Sequence, residues 1–186
     1  MELNKVLESR RSIRQYSKKN VSWHILSDIL ESATYSPSSG NQQNWRFIII
    51  ANEDKKKEIA VASLKQLWIQ QAPVIVVVCA DFSSIKKYYS SSYRELSLQN
   101  CAIASNNIML RAASLGLGSC YVAIFDKNAI SRILRLPDDI EPMMILTLGY
   151  SDETPEKKHI ISLNNLTYFE EYGNKKRTSS IFPLRK

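Results

Sequence analysis

Histidine and glycine are scarce in this chain, at 2 and 5 of 186 residues, and the 3 cysteines lie far apart at Cys79, Cys101 and Cys120. No Cys/His spacing of a metal site is present, and the odd cysteine count fits a reducing compartment. No nucleophile, catalytic dyad or metal-ligand cluster stands out. A glycine fingerprint of the Rossmann type is also missing. The longest strongly apolar run, residues 72–80, is too short to cross a bilayer. There is no internal repeat and no low-complexity segment. With so few glycines, Gly116 and Gly118 are expected to answer a backbone need.

The formal net charge is +7, but the cations are scattered as short runs at 55–57, 86–87, 157–158 and 175–177. These read as solvated faces or helix ends. Basic and aromatic residues do not interleave as they do in nucleic-acid binders, so no nucleic-acid partner is expected. The positive potential attracts phosphorylated small molecules instead. The N-terminus is charged and apolar only at helical spacing, so no signal peptide, no membrane contact and a cytoplasmic location are expected.

With 44% hydrophobic residues the chain supports one full core. Residues 2–9 read as a short helix. Ser22 caps a helix that ends before Pro37. Residues 46–51 read as a buried strand, and Asp54 as the cap of a helix running towards Gln71. Pro73 opens a second buried strand, 74–79. Residues 89–115 form the longest helix, apolar on several faces and therefore buried in the core or between subunits, with Gly116 as its C-cap. A strand at 119–125, a helix from Asp126 to Leu134 and a strand at 143–148 follow. The expectation is an α+β fold: one domain over residues 1–160, then an arm, 161–186, too poor in apolar residues for a second core.

Two segments carry polar chemistry. Arg10-Arg11-Ser12-Ile13-Arg14-Gln15-Tyr16 puts three guanidinium groups and a hydroxyl within five residues. If the run is extended, Arg10, Ser12 and Arg14 share a face and Arg11 points away. That face suits an elongated anion with a phosphate at one end, because Arg offers planar bidentate hydrogen bonds. The second segment, residues 36–45, is dense in amides and hydroxyls and precedes an apolar strand. Read singly, the arginines could be surface charges on an edge strand, and the second segment a polar turn with a helix cap.

Arg-x-Ser-x-Arg-x-Tyr followed by Ser-Pro-Ser-Ser-x-Asn-x-Gln resembles the FMN-dependent nitroreductase family. So do Leu115-Gly116-Leu117-Gly118-Ser119-Cys120-Tyr121 and Leu136-Pro137-Asp138-Asp139-Ile140-Glu141-Pro142 with Leu148-Gly149-Tyr150. The four motifs occur in the family's order. The resemblance implies a nitroreductase-like α/β sandwich with a mostly antiparallel sheet, in an intertwined homodimer whose arm lies across the partner. It implies FMN as cofactor, with Arg10 on the phosphate, Ser12 on the phosphate or ribityl end, and Arg14 at the N1–C2=O edge. Arg11 lies with its backbone near the ring. Pro37, Ser38, Ser39, Asn41 and Gln43 match positions that reach the flavin from the other subunit. Tyr121, Val122, Ala123 and Ile124 match the strand that presents backbone to N5. Lys158 stands where a Lys-x-Arg pair closes on the phosphate, but the Arg is absent here.

The activity so implied moves hydride from NADH or NADPH through flavin N5 to an electron-poor small-molecule acceptor, such as a nitroaromatic or quinone, in ping-pong fashion. The missing Rossmann fingerprint is no objection, since the nicotinamide donor need only visit. The competing reading is a non-catalytic flavin-binding redox sensor or flavin store on the same fold. A relative with other flavin chemistry, such as reductive dehalogenation, is disfavoured because no long lid insertion is present.

Overall fold

The computed structural model describes residues 2–156 and 159–178. These divide into two compact units, residues 1–155 and 156–186.

In the first unit, chain order is α1 (Leu3–Ser9), α2 (Trp23–Glu31), β1 (Trp45–Ile50), α3 (Glu53–Ala62), β2 (Val74–Asp81), α4 (Phe82–Tyr88), α5 (Tyr93–Ser114), β3 (Gly118–Val122), α6 (Lys127–Leu134) and β4 (Ile140–Gly149). The four strands form one antiparallel sheet in the order β1-β2-β4-β3. Strand β2 is buried on both faces, and its side chains alternate between two layers. Val74, Val76, Val78 and Ala80 pack with Leu26 and Ile29 of α2 and Cys101, Ala104 and Ile108 of α5. Ile75, Val77 and Cys79 pack with Ile59 of α3 and Ile130 of α6. The fold is therefore an α+β sandwich with helices on both faces of an antiparallel sheet.

Local chemistry accounts for most helix ends. Ser22 Oγ accepts from Ile25 N–H, and Asp126 Oδ1 from Ala129 N–H. Ser36 is extended (ψ 139°), as the residue before Pro37 must be. Gly116, at φ +79°, closes α5: its N–H bonds Ala113 O (3.0 Å) while Leu117 N–H bonds Ala112 O (2.9 Å), the paired bonds of a Schellman cap.

Several expectations are corrected. Asn52, not Asp54, caps α3, and α3 stops at Ala62. Leu64 and Lys65 then take positive φ (54° and 58°) before a short 3-10 helix, Leu67–Gln71. Strand β1 is not buried throughout; it is the sheet edge, and only Trp45 and Ile50 are enclosed. Helix α5 begins at Tyr93, because α4 and a turn occupy the preceding residues. Strand β3 ends at Val122, so Ala123 and Ile124 lie beyond it.

The second unit carries a single short helix among its described residues, α7 (Leu163–Leu166). Lys175 Nζ donates to Asn164 O (2.5 Å) and Thr167 O (2.9 Å).

Gly149 ends β4 where Pro73 and Tyr16 crowd the backbone. A Cβ there would sit 2.4 Å from Pro73 Cδ and 2.9 Å from Tyr16 Cδ1. Both neighbours are ring atoms with little freedom to yield. Gly149→Ala is expected to destabilise the protein by about 1–3 kcal/mol, the range for overpacking. Urea unfolding checks this; an unchanged midpoint would mean that Pro73 and Tyr16 can move aside.

Candidate functional site

Residues 10–17 leave α1, meet the outer edge of β3 at Ser12 and Ile13, and then pair through residues 15–17 with residues 150–152 beyond β4. Ser12 bridges Ser119 in parallel sense, and Ile13 N–H donates to Ser119 O (3.0 Å). This seat exists because residue 118 is glycine: a Cβ there would come within 2.7 Å of Ile13 Cγ1. Ile13 is buried, so its neighbours Ser12 and Arg14 face outward, as the extended reading expects. Further along, Tyr16 Oη donates to Ile13 O (2.5 Å) and shares a 2.7 Å hydrogen bond with Thr147 Oγ1. Glu153 Oε1 accepts from the N–H groups of Arg14 (2.5 Å) and Gln15 (3.1 Å). Arg11 turns back instead, its guanidinium donating to Glu8 O (2.5 Å) and Arg10 O (2.9 Å) at the end of α1.

Beside this strip lies a cavity of about 240 Å³ lined by Arg10, Arg11, Ile13, Gly118, Ser119 and Glu153 among others. Ser119 Oγ is buried there and has no hydrogen-bond partner in the structure. Burial pushes the Cys120 thiol up, and Arg14, Ser12 and Arg10 pull it back only in part. The thiol therefore stays protonated at neutral pH and is no nucleophile. A wider hollow of about 660 Å³ lies within the second unit, but Lys175 on its wall is already engaged as described.

The far end of β3 presents Tyr121 and, past the strand, Ala123 and Ile124 to solvent, while Val122 is buried. Its wall is the 3-10 helix Leu67–Gln71, whose Trp68 ring lies under the Arg14 guanidinium (5.6 Å to the centroid). Gln66 Nε2 donates to Ser63 O (2.9 Å) and to Ile124 O (3.3 Å), tying that helix to the strand end. Sequence reasoning missed Trp68 and Gln66, which sit where a plain α-helix was expected.

The second polar segment is built on different supports. Gly40, Asn41 and Gln43 all take positive φ (54°, 55° and 43°). A buried amide chain holds this tight loop. Asn100 Oδ1 accepts from Ser39 N–H (2.9 Å) and Ser39 Oγ (3.2 Å), and Asn100 Nδ2 donates to Asn44 Oδ1 (2.9 Å). Asn44 Nδ2 then donates to Ser97 Oγ (2.8 Å) and Asp81 O (3.2 Å). Within the loop, Ser38 Oγ accepts from Gln43 N–H (3.1 Å) and Gln43 Nε2 donates to Asn41 Oδ1 (2.9 Å). Pro37 is exposed at its start. Asn44 and Asn100 were not picked out from sequence; an asparagine among the apolar positions of α5 was the available signal.

The loop and the arginine strip stand diagonally across the sheet. The loop enters β1 at Trp45, which is level with Ala80 and Glu141; the strip lies on Gly118 and Ser119, level with Gly149 and Leu148. Glu141 to Gly149 is about 27 Å of strand, and three strand spacings add about 14 Å sideways, giving on the order of 30 Å. Helix α5 is a second ruler: from Asn100 to Leu115 it rises about 22 Å. Structure thus brings Arg10, Ser12, Arg14 and the β3 end together, and Pro37, Ser38, Ser39, Asn41 and Gln43 together, but not the two sets within one chain. Lys158 lies outside the described residues. Among the described residues, no cluster of His, Cys, Asp and Glu could hold a metal ion, and no helix is long and apolar enough to cross a membrane.

A model of the nitroreductase family matches residues 7–72 and 62–150. The chain belongs to the nitroreductase family. The nitroreductase match spans the arginine strip, the polar loop and the whole sheet. A Methanothermobacter thermautotrophicus protein, provisionally named an NADH dehydrogenase/NAD(P)H nitroreductase, is 31% identical over 159 residues, covering 83% of this chain and 80% of its own. The Bacillus subtilis protein named FMN reductase [NAD(P)H] is 28% identical over 193 residues, covering 96% and 78%. The solved structure of NfrA2 from B. megaterium superposes with a TM-score of 0.86 at 26% identity, covering 93% of this chain and 76% of that one.

The amide chain under the polar loop is a stability element with a local readout. Asn100→Ala leaves the buried Asn44 amide and the Ser39 N–H short of partners, at an expected cost of about 1–3 kcal/mol. Hydrogen exchange should speed up at Ser39 and Asn41 while the β2 and β4 amides stay protected. Uniform loss of protection would mean that Asn100 serves the core rather than the loop.

Proposed function

We propose that this chain is an FMN-dependent oxidoreductase that takes hydride from NADH or NADPH and delivers it to an electron-poor acceptor, a nitroaromatic, quinone or similar compound. The observation that carries the reading is the cation-lined strip on β3 with an unsatisfied hydroxyl beside it. Ser119 Oγ, buried without a partner in a cavity that Arg10 lines, is the mark of a site built for a polar ligand, since an unpaired buried hydroxyl otherwise costs about 1–3 kcal/mol. The residues present therefore fit the phosphate-bearing end of FMN. The name of the B. subtilis relative points to FMN and to a nicotinamide donor, and that of the M. thermautotrophicus relative to the same donor.

Bound FMN supplies hydride acceptance from the nicotinamide and hydride donation to the acceptor, in two half-reactions of ping-pong type. The chain's own residues bind and orient. Arg10 and Ser12 would hold the phosphate and the ribityl end. Arg14 sets positive charge at the N1–C2=O edge. The backbone N–H of Ala123 would serve N5, and Tyr121, Val122 and Ile124 would border the ring. The backbone of Arg11 would lie near the ring, its guanidinium being turned onto Glu8 O and Arg10 O. A cytoplasmic location matches a donor drawn from the nicotinamide pool.

The second half of the site comes from a second copy of the chain. The spacing supports this: the strip at Gly118 and Ser119 lies on the order of 30 Å from the loop, and the β3 end at Val122, level with Ile145, about 20 Å from it. So do the apolar side chains left on the outer side of α1 and α5: Leu3 and Leu7 are 67% and 54% exposed, Leu98 and Ile103 47% and 40%. A homodimer then carries two composite sites, each with Pro37, Ser38, Ser39, Asn41 and Gln43 from the other subunit.

Purified protein should be yellow or become so with FMN, and NADH or NADPH should bleach it anaerobically. Arg10→Ala should weaken FMN binding with little change in the potential of the flavin that remains bound. Arg14→Ala should make bound flavin harder to reduce, by on the order of 1–3 kcal/mol, because it removes a cation beside the edge that gains charge on reduction. Colourless protein that does not quench FMN fluorescence rejects the reading, and swapped phenotypes reject the two roles.

A mixed dimer tests the composite site. One subunit carries Arg10→Ala and Arg14→Ala, the other Ser39→Ala and Asn41→Ala. The expected result is one intact flavin site and one doubly damaged site. Two equally half-damaged sites would mean that each subunit builds its own.

A further inference from the structure

We infer that Trp68 is a positioning residue for Arg14: its indole face holds the guanidinium at the end of the strip and so tunes the potential of bound flavin. The inference rests on the reading that Arg14 meets the N1–C2=O edge.

The backbone of Arg14 is fixed, but its side chain is held in an unusual way. Glu153 takes the Arg14 N–H and not its guanidinium. Among the described residues the guanidinium has no ion pair and no hydrogen bond; the Trp68 ring at 5.6 Å is the group that faces it. That distance lies within the range where a cation is drawn to an indole face, and tryptophan is the strongest aromatic partner. A long side chain with four rotatable bonds otherwise samples many positions. A carboxylate partner would fix it too, but would cancel its field at the flavin. An indole fixes it and leaves the charge intact.

Trp68 is itself firmly placed. Ile69, beside it, is fully buried. At one end of the 3-10 helix Leu67–Gln71, Gln66 bonds Ser63 O and Ile124 O. At the other, the buried Lys56 donates to Ala72 O (2.9 Å) while pairing with Glu53 (2.9 Å). The helix that carries the ring is thus tied to α3 and to the end of β3, and Trp68 packs in part against the core beneath it. A tryptophan kept only for packing would have no reason to lie under the strip's exposed cation, and its replacement would alter stability without altering a flavin's potential.

The test compares Trp68→Leu, Trp68→Phe, Arg14→Ala and the double variant Trp68→Leu/Arg14→Ala in FMN-loaded protein, reading the midpoint potential. Trp68→Leu should move the potential in the negative direction, as Arg14→Ala does but by less. Trp68→Phe should retain most of the wild-type value. In the Arg14→Ala background, Trp68→Leu should add nothing. In flavin-free protein, the Arg14 side-chain protons should show upfield ring-current shifts that Trp68→Leu abolishes. A wild-type potential in Trp68→Leu, shifts that add in the double variant, or no ring-current shift in the wild type would each overturn the inference while leaving the role of Arg14 standing. An unshifted potential in Arg14→Ala would instead remove that role, and this inference with it.

Discussion

A side chain missing at Gly118 lets Ile13 sit against β3, and the geometry of the arginine strip depends on that contact. With any Cβ at 118, Ile13 would have to withdraw, because the gap is 2.7 Å. With Ile13 seated, residues 12 and 14 must face outward, since side chains of an extended run alternate. The two hydrogen bonds of Tyr16 Oη and the carboxylate of Glu153 then hold the run from the other side. The arginines keep their place through an apolar contact that carries no charge. The charged groups are accordingly free to serve a ligand.

The polar loop follows the opposite logic. Its backbone takes positive φ at three positions, Gly40, Asn41 and Gln43. Only the glycine adopts this readily. The compensation comes from polar groups inside the core: Asn100, Asn44 and Ser97 form a satisfied chain under Ser39. Such groups are costly when half-paired and rigid when fully paired. The same helix, α5, spans the distance between loop and strip, so it acts as the spacer that keeps the two halves apart in one subunit. In the proposed dimer that spacing is what makes two sites of four half-sites.

In the proposed site the guanidinium groups of Arg14 and Arg11 rest on neutral partners. Arg14 rests on an indole, its backbone on a carboxylate that never meets the guanidinium, and Arg11 is turned away onto carbonyls of α1. The nearby Cys120 thiol is kept neutral by burial. None of these residues forms an acid–base pair, consistent with a protein that positions a redox cofactor and leaves the bond-making to it.

Local signals determined much of this protein. The cap at Asp126, the stop before Pro37 and the glycine after α5 were legible because caps and φ limits act over a few residues. So were the arginine strip and the polar loop, because their residue types name their chemistry. Other features were decided by tertiary structure. Strand β1 reads as apolar as β2, and only strand order makes one an edge and the other a centre. The break in α3 has no glycine or proline to announce it; Leu64 and Lys65 adopt positive φ before a short helix that meets Ile124 through Gln66 and Lys56 through Ala72 O. Asn100, Asn44 and Trp68 gain their roles from partners 56 to 61 residues away for the asparagines and from the distant strip for the tryptophan. Such pairings depend on how the sheet and helices stack, and no property of a residue's own neighbours in the chain encodes them.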